Sequence, residues 1–249
     1  KQNIIRVPEG CPTMNQAMEL AVVFSERNEC TRENPVKVVV GEGEHEMVGV
    51  GSNIYGGRLT HVSCSNIIIV GKGKAKTTIL GGFFVHSKQN VKIEQLTVTN
   101  LQGIGLFCKG SGTNVDVTEC SIKKCSIHGM SVDAGTNVTA TQCDFMENGG
   151  YGVACGHWTK ARLTDCKVHH NGQAGLIAYN HAVVDLHGTK TDIHSNKSYG
   201  ILASGGCGKV NIHLPSQHNT SHDNVGEDRN QARGGSIANI NADGTFTHV

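Results

Sequence analysis

The sequence has little proline, few aromatic residues and no long apolar run. Proline occurs four times in 249 residues, and aromatic residues make up 4%. No apolar stretch approaches the ~18 residues of a membrane-spanning helix, which excludes a helix of that kind. The net charge is only +1 at pH 7 and the basic residues are scattered, so the stripe of cations that binds nucleic acid is missing. The chain opens at Lys1 without a signal-peptide pattern, although a processed secreted chain would look the same.

The ten cysteines show none of the spacings that hold a metal ion. Cys120, Cys143 and Cys166 instead fall 23 residues apart, and Cys108 and Cys155 share a second repeated position. A cysteine at a repeated inward position behaves as a small buried hydrophobe and needs no disulfide. We therefore expect reduced thiols, a cytoplasmic or similarly reducing compartment, and no metal site.

What the sequence does contain is a repeat of 22 to 26 residues. Each unit places a glycine four residues after an Asn-type position, as in the pairs Cys125 and Gly129, Asn148 and Gly152, Asn171 and Gly175, Asn196 and Gly200. Apolar and polar residues alternate before and after each pair, which is typical of short strands. A unit this short cannot bury its own apolar face, so successive units must stack. The pattern predicts an all-β solenoid of about seven coils.

The chain is expected to form one domain, residues 1–249. Residues 13–26 start with the capping box Thr13-Met-Asn-Gln16 and continue with apolar residues at helical spacing. They predict an amphipathic helix that caps one end of the solenoid. Coils are expected over 36–214, a polar insertion over 215–234 and closing strands over 235–249.

These features resemble the right-handed parallel β-helix of the pectate-lyase-like superfamily. The resemblance lies in the opening Ile5-Arg-Val-Pro-Glu-Gly-Cys-Pro-Thr-Met-Asn-Gln-Ala-Met, the later Val-Val-Val-Gly-Glu-Gly-Glu-His-Glu, and the coils from 90 to 204. Those coils are similar to the repeats of carbohydrate-binding and sugar-hydrolysis domains. The resemblance implies an N-terminal helix that plugs the solenoid, and a substrate groove on the outward face of the first strand of each coil.

The catalytic motifs of the superfamily's enzymes have no counterpart in this sequence. The Asn-Thr-Asp, Asp-Asp and Gly-His-Gly motifs of polygalacturonases are missing, as is the Asp-Pro-His-Asp of mannuronan C5-epimerases. A clear set of the calcium-binding aspartates and the arginines of pectate lyases is missing too. Whether the chain is an enzyme therefore stays open, and calcium is the one cofactor that the resemblance leaves open.

The candidate site lies on the outward face of the first strands. With Val, Ile and Leu inward, two outward columns follow, Lys92, Asp116, Thr139, Arg162, Asp185, Asn211 and Glu94, Thr118, Thr141, Thr164, His187, His213. Arg162 then neighbours Asp185, and His187 neighbours His213. A carboxylate flanked by Arg and His suits acid–base chemistry and anion binding, so the candidate catalytic residues are Asp185, Arg162, His187 and His213. The candidate substrate-binding residues are Asp116, Lys92 and Trp158. The alternative is a charged strand face whose ion pairs are worth little.

Three further columns repeat along the coils. The asparagines fit a ladder of amides that hydrogen-bond from coil to coil. A further column contains four histidines, His169, His170, His194 and His222. They are either solvent-exposed turn residues or a row of metal ligands, although stacked side chains lie on a line rather than around an ion. An apolar outward column on the later strands suits packing against the insertion, a partner protein or a second copy of the chain; its members are Phe107, Ser131, Ala154, Ile177 and Leu202.

Two functions follow from these patterns. The first is a carbohydrate-directed protein that binds or processes an acidic polysaccharide, as a lyase, an epimerase, a hydrolase or a lectin-like module. The second is a non-catalytic scaffold that presents a stiff surface to a protein partner. The resemblance favours the first function, and the missing catalytic motifs favour the second. Neither nucleic acid nor a membrane is an expected partner.

Overall fold

The computed structural model describes residues 3–27, 30–47, 59–213 and 221–248. Over these residues the chain forms a right-handed parallel β-solenoid of about seven turns with an N-terminal helix, which confirms the predicted fold class. The short period and the alternating pattern produce this architecture because each coil buries its apolar side chains only when the next coil lies against it.

The described residues contain 27 strands, most of them three to five residues long. In chain order they are β1 (Ile4–Val7), β2 (Val36–Val40), β3 (Gly43–Glu46), β4 (Leu59–His61), β5 (Ile67–Val70), β6 (Thr77–Leu80), β7 (Gly82–His86), β8 (Val91–Glu94), β9 (Thr97–Thr99), β10 (Leu106–Lys109), β11 (Asn114–Thr118), β12 (Ser121–Lys123), β13 (Met130–Asp133), β14 (Asn137–Thr141), β15 (Asp144–Met146), β16 (Val153–Cys155), β17 (Lys160–Thr164), β18 (Lys167–His169), β19 (Leu176–Tyr179), β20 (Val183–His187), β21 (Asp192–His194), β22 (Ile201–Ser204), β23 (Lys209–His213), β24 (Ser221–His222), β25 (Arg229–Gln231), β26 (Ser236–Ile240) and β27 (Phe246–His248).

Each full coil contributes one strand to each of three sheets. Sheet 1 has the strand order β1-β2-β5-β8-β11-β14-β17-β20-β23-β26-β27. Sheet 2 has the order β3-β6-β9-β12-β15-β18-β21-β24, and sheet 3 the order β4-β7-β10-β13-β16-β19-β22-β25. All pairs are parallel except β26 with β27. Along a coil the chain therefore passes from sheet 1 to sheet 2, then to sheet 3, and returns to sheet 1 one step further on.

The helix α1 (Met14–Arg27) packs against β1 and β2, the first two strands of sheet 1. Its start is fixed by Thr13, whose hydroxyl oxygen accepts a hydrogen bond from the backbone N–H of Gln16 at 3.2 Å. The helix buries Met14, Ala17 and Met18 in the same core as the strands. Among the described residues, no helix combines the length and the apolar character needed to cross a membrane.

The inward columns of the coils form one continuous core. Cys120, Cys143 and Cys166 are aligned as predicted, each fully buried and immediately before a paired strand of sheet 2. The second predicted column also aligns, because Val132 pairs with both Cys108 and Cys155 in sheet 3. All ten cysteines are free, and burial raises the pKa of the Cys155 thiol to about 12. The eight buried thiols act as small apolar side chains.

The asparagine ladder lies in the turns between sheet 2 and sheet 3. Asn171 is fully buried, and its side-chain amide donates a hydrogen bond to Oδ1 of Asn196 at 2.9 Å. The same bond links Asn148 to Asn171 at 3.0 Å and Asn196 to Asn224 at 2.9 Å. A shorter run of the same kind lies between sheet 3 and sheet 1, where Asn90 donates to Asn66 at 2.7 Å. The ladders connect successive coils through buried polar groups that satisfy one another.

The repeat glycines make room for this ladder. A Cβ atom added to Gly175 would lie 2.7 Å from Nδ2 of Asn196, and one added to Gly152 would lie 2.7 Å from Nδ2 of Asn171. Both glycines therefore lie too close to the next coil's asparagine to tolerate a side chain. The fixed spacing between asparagine and glycine follows from this contact between neighbouring coils.

The described part of the segment 215–234 continues the solenoid. Ser221–His222 (β24) pairs with sheet 2, and Arg229–Gln231 (β25) pairs with sheet 3. Asn224 between them joins the asparagine ladder. Residues 215–220 of the expected insertion lie outside the described residues. The expected closing strands include β26, which pairs in parallel, and β27, which turns back antiparallel to it.

Candidate functional site

The outward face of sheet 1 carries the predicted columns in register. Asp116 pairs with Lys92 on one side and Thr139 on the other, and Arg162 pairs with Thr139 and Asp185. Neighbouring strands of a sheet lie about 4.8 Å apart, so Asp116 and Asp185 are separated by roughly 14 Å along the solenoid. One charged column therefore crosses four successive coils.

A shallow hollow of about 180 Å³ follows this column. Its lining residues are Asn114, Val115, Asp116, Asn137, Val138, Thr139, Lys160, Ala161, Arg162 and Asp185. Arg162 and Asp116 are both exposed, so their charged groups face solvent at the hollow. Lys92, on the strand next to Asp116, is half-buried and does not line it. The hollow is lined by cations, carboxylates, amides and a hydroxyl group, so its lining is suited to a polar ligand.

Asp185 is the centre of a compact cluster at one end of the hollow. Its Oδ1 lies 2.8 Å from Nε2 of His213 and accepts a hydrogen bond from the side-chain amide of Asn211 at 3.0 Å. The imidazole rings of His187 and His213 stack with centroids 3.9 Å apart and planes 14° apart. Arg162 is a register neighbour of Asp185, but the contacts of the Asp185 carboxylate go to the following coil. The cluster is half-buried, which leaves it accessible to a ligand.

Burial lowers the pKa of His187 from its usual value of 6.5. The neighbouring His213 and Arg162 lower that pKa further, whereas Asp185 opposes them. His187 therefore stays neutral to a lower pH than an isolated histidine. A neutral imidazole can accept a proton or bind a metal ion.

The same cluster has the composition of a metal site. One ligand atom from each of Asp185, His187 and His213 can be chosen so that all three lie within 4.8 Å of one another. Over the described residues, this is the one group of His, Cys, Asp or Glu side chains that meets this distance. The coil register predicted these three residues as neighbours in a catalytic site, but their spacing along the sequence is not that of a metal-binding motif.

A second cluster on sheet 2 repeats the arrangement. Asp192 stands two residues before His194, as Asp185 stands two residues before His187, and its Oδ1 lies 2.9 Å from Nε2 of the next coil's His222. The predicted histidine column is present here, because the rings of His169 and His194 stack at 4.9 Å and those of His194 and His222 at 5.2 Å. Asp223 also contacts Nδ1 of His222 at 2.8 Å. Here the rings form a line along the sheet.

Trp158 lies in the turn between sheet 3 and sheet 1, two residues before Lys160 of the hollow. Its indole stacks on His181 of the next coil, with ring centroids 3.9 Å apart and planes 9° apart. The side chain is nevertheless 68% exposed. Most of the indole is therefore accessible to solvent although one face stacks on His181. An open aromatic face beside a polar hollow suits stacking on a sugar ring.

The apolar outward column of sheet 3 is largely covered by the chain itself. Phe107, Ala154 and Ile177 are all buried. Phe107 stacks on Phe84 at 5.1 Å between ring centroids and packs with Ile104. The described surface therefore offers less apolar area for a partner than the sequence pattern indicates.

The sequence matches the model of a family described as the right handed beta helix region, over residues 49–220. This match covers more than half of the chain. The protein belongs to the right-handed β-helix family. None of the curated proteins is significantly similar to it in sequence.

Solved structures of other proteins resemble the chain at low sequence identity. ORF18 of Geobacillus virus E2 is 10% identical with a TM-score of 0.38, and the match covers 84% of this chain and 54% of that one. The chain thus spans about half the length of that viral protein. The A-module of the Azotobacter vinelandii mannuronan C-5 epimerase AlgE4 is 11% identical with a TM-score of 0.31, covering 83% of this chain and 89% of the module. The AlgE6 A-module from the same organism is 13% identical with a TM-score of 0.31, covering 88% and 91%.

Proposed function

We propose that this β-helix protein binds an acidic polysaccharide along the outward face of sheet 1, and that Asp185, His187 and His213 process it. The observation that carries the proposal is the exposed Arg162 guanidinium in the hollow, one strand away from the Asp185 cluster. A guanidinium matches the geometry of a carboxylate and can bind it through two hydrogen bonds. The hollow thus combines an anion-binding group with acid–base groups.

The distribution of cations along sheet 1 supports an anionic rather than a neutral polymer. Lys160 and Arg162 line the hollow. Lys92 lies on the same face of sheet 1, two strands before the strand that carries Thr139. Further along the same sheet, a larger hollow of about 430 Å³ is lined by Ile4, Arg6, Lys37, Val39, Val70, Gly71, Lys72 and Gln95. A chain of uronate units lying across the strands would meet Lys92 and Arg162 in one column, with Asp116 and Thr139 between them, and each contact with a cation adds attraction to a negatively charged ligand.

The Asp185 cluster supplies the groups that uronate chemistry requires. Binding of the sugar carboxylate to Arg162 makes the C5 proton more acidic, because it stabilises the negative charge that forms when the proton leaves. His213, whose Nε2–H donates to Asp185, is placed to take that proton as a base at its other ring nitrogen. The electron pair left at C5 then either expels the oxygen at C4, which takes the proton from protonated His213 and leaves as a hydroxyl, giving an unsaturated sugar, or takes a proton from water on the opposite face, giving the epimer. The sequence lacks the Asp-Pro-His-Asp motif of mannuronan C5-epimerases. The proposed roles of Arg162 and His213 therefore do not derive from that motif.

A binding experiment with oligouronates tests the proposal. In isothermal titration calorimetry, Arg162→Gln is expected to weaken oligouronate binding about tenfold or more, since hydrogen bonds to charged groups are worth about 1.5–3 kcal/mol. Lys197→Gln is the matched control, because Lys197 is exposed in the turn between sheets 2 and 3, away from the hollow. A neutral oligosaccharide of the same length is the ligand control. Equal oligouronate affinity in both variants, or equal affinity for the neutral sugar, would contradict the proposal.

A further inference from the structure

The cluster at Asp185 is a ready set of metal ligands as well as a set of acid–base groups. Two imidazoles and one carboxylate come from two adjacent strands, β20 and β23, at the same end of sheet 1. Asp185 and His187 share the outward face of β20 because they stand two residues apart. His213 reaches them from the next coil and places Nε2 2.8 Å from Asp185 Oδ1.

We propose that Asp185, His187 and His213 bind a divalent first-row transition-metal ion such as Zn²⁺, Co²⁺ or Ni²⁺. Imidazole nitrogen suits these ions, and two histidines with one carboxylate form a known type of site that leaves further coordination positions open. Calcium prefers six to eight oxygen ligands, so it does not match a set in which two of the three ligands are nitrogen. The open positions would hold water or an anionic ligand.

The distances fit such an ion after a small rearrangement. Metal–nitrogen and metal–oxygen bonds of about 2.0–2.2 Å place neighbouring ligand atoms roughly 3.3 Å apart in a tetrahedron. The 2.8 Å contact between His213 and Asp185 is close to that separation. The stacked rings of His187 and His213 must tilt apart so that their nitrogen lone pairs converge. Asn211, which donates to Asp185 Oδ1, would hold the carboxylate in place as a supporting partner.

The sheet 2 cluster shows why composition alone does not define the site. Asp192, His194 and His222 match the first cluster in residue type and in the Asp-x-His spacing. Their rings are further apart, at 5.2 Å, and His194 Nε2 lies 3.9 Å from Asp192 Oδ2. Asp223 holds the other nitrogen of His222. Over the described residues, the ligand atoms of these three side chains do not all come within 4.8 Å of one another, so they need a larger rearrangement than the first cluster to reach one ion.

Metal binding at the Asp185 cluster does not depend on sugar binding. It concerns the same three side chains as the proposed function, but it is a property of the protein alone. An ion bound to Nε2 of His213 would replace the hydrogen bond from His213 to Asp185 that orients the base, so it would inhibit turnover rather than support it. The two proposals can therefore fail separately.

Titration of the full chain with Co²⁺, in the absence of any sugar, tests the site. The visible absorption of bound Co²⁺ reports nitrogen and oxygen coordination directly. We expect one saturable Co²⁺ site in the unaltered protein, and displacement of Co²⁺ by Zn²⁺ but not by Ca²⁺. Loss of a supporting partner costs 10–100-fold in metal affinity, so loss of a ligand in His187→Ala, His213→Ala or Asp185→Asn is expected to cost at least about 100-fold.

The matched controls are Asp192→Asn, His194→Ala and His222→Ala, which alter the sister cluster and should leave Co²⁺ affinity and spectrum unchanged. Circular dichroism and melting curves of all six variants show that each is folded before its titration is interpreted. The proposal is overturned if Co²⁺ binds equally to the unaltered protein and to His213→Ala, or if the sheet 2 variants lose binding to the same extent. Displacement by Ca²⁺ at equal concentration would also overturn it.

Discussion

Two clusters of identical residue type lie on neighbouring sheets of the same two coils. On sheet 1, Asp185, His187 and His213 lie together with their histidine rings 3.9 Å apart. On sheet 2, Asp192, His194 and His222 follow the same Asp-x-His spacing, with the rings 5.2 Å apart. In both, the aspartate contacts the histidine of the following coil.

The surroundings of each cluster make the difference. The sheet 1 cluster adjoins the hollow and an exposed Arg162, so its groups face a place where a ligand fits. The sheet 2 cluster has a second carboxylate, Asp223, and continues into His169, so its polar groups are largely used by one another. The same Asp-x-His motif can therefore bind a ligand on one sheet and not on the other, because the residues that neighbouring coils and turns place beside it differ.

The largest effect is expected from removing the ladder that keeps both clusters in register. The fully buried Asn196 side chain donates to Val168 O and Asn224 Oδ1, and it accepts from the backbone and side-chain amides of Asn171. Each buried polar group left without a partner costs about 1–3 kcal/mol, so Asn196→Ala should lower the free energy of unfolding by at least about 3 kcal/mol. Chemical denaturation measures this change. The neighbouring exposed Lys197→Ala should stay within about 0.5 kcal/mol, and an equal loss in both variants would contradict the role of the ladder.

The next effect separates the clusters by function. Asp185→Ala and His187→Ala should each lower oligouronate turnover about tenfold or more, because they remove groups of the acid–base cluster, whereas Asp185→Ala should not weaken oligouronate binding because it removes a negative charge. Asp192→Ala and His194→Ala should leave both quantities unchanged. Calorimetry and the ultraviolet absorbance of an unsaturated product measure them. If all four variants behave alike, the distinction between the two clusters is wrong.

A smaller effect is expected at Trp158. Aromatic stacking adds about 0.5–1.5 kcal/mol beyond area burial, so Trp158→Ala should weaken oligouronate binding about two- to tenfold. Quenching of the fluorescence of this single tryptophan by the sugar provides a second measurement. Leu101→Ala is the control, because Leu101 is 74% exposed in a turn between sheets 2 and 3. Unchanged fluorescence at saturating sugar would exclude Trp158 from the binding surface.

The smallest effect is a difference in titration. Burial, then His213 and Arg162, lower the pKa of His187 below 6.5, whereas hydrogen bonding to Asp223 is the main cause that raises the pKa of His222 above 6.5. The contribution of His222 to the free energy of unfolding is therefore fully present below pH 6.5. It is lost as the pH rises through the raised pKa of His222 in the folded state. For His187 the sign is opposite, since stability is lost as pH falls from 6.5 through its lowered pKa.

Imidazole NMR titration should thus place the midpoints of His187 and His222 on opposite sides of 6.5. Asp223→Asn should lower the midpoint of His222 and leave that of His187 in place. Midpoints on the same side would show that the two clusters share one electrostatic environment.

The coil geometry could be predicted from the sequence because it depends on two regular quantities. The period fixes which residues are neighbours between coils, and the alternation fixes which of them point outward. The pairing of Arg162 with Asp185 and the alignment of Cys120, Cys143 and Cys166 follow from these quantities alone. Helix α1 could be predicted as well, because its capping box and apolar stripe are local signals.

Contacts that depend on side-chain rotamers could not be predicted. The register gives Asp185 neighbours in two coils, and only the side-chain conformation decides that its carboxylate binds His213 and Asn211. The three-residue strands of sheet 2 are too short to show a clear alternation, so the sequence did not indicate that Asp192 contacts His222. The repeat glycines suggested a tight bend, whereas Gly175 is needed for the close approach of Asn196.

The stacked thiols of the core have a consequence for anyone who heats or denatures this protein. Eight of its ten cysteines are buried and therefore shielded from oxidants while the coils are intact. Once the coils separate, those sulfur atoms reach solvent together, their acidity returns to that of ordinary cysteine, and air can cross-link them at random. Unfolding without a reducing agent will then be irreversible, and its apparent midpoint will depend on the rate of heating.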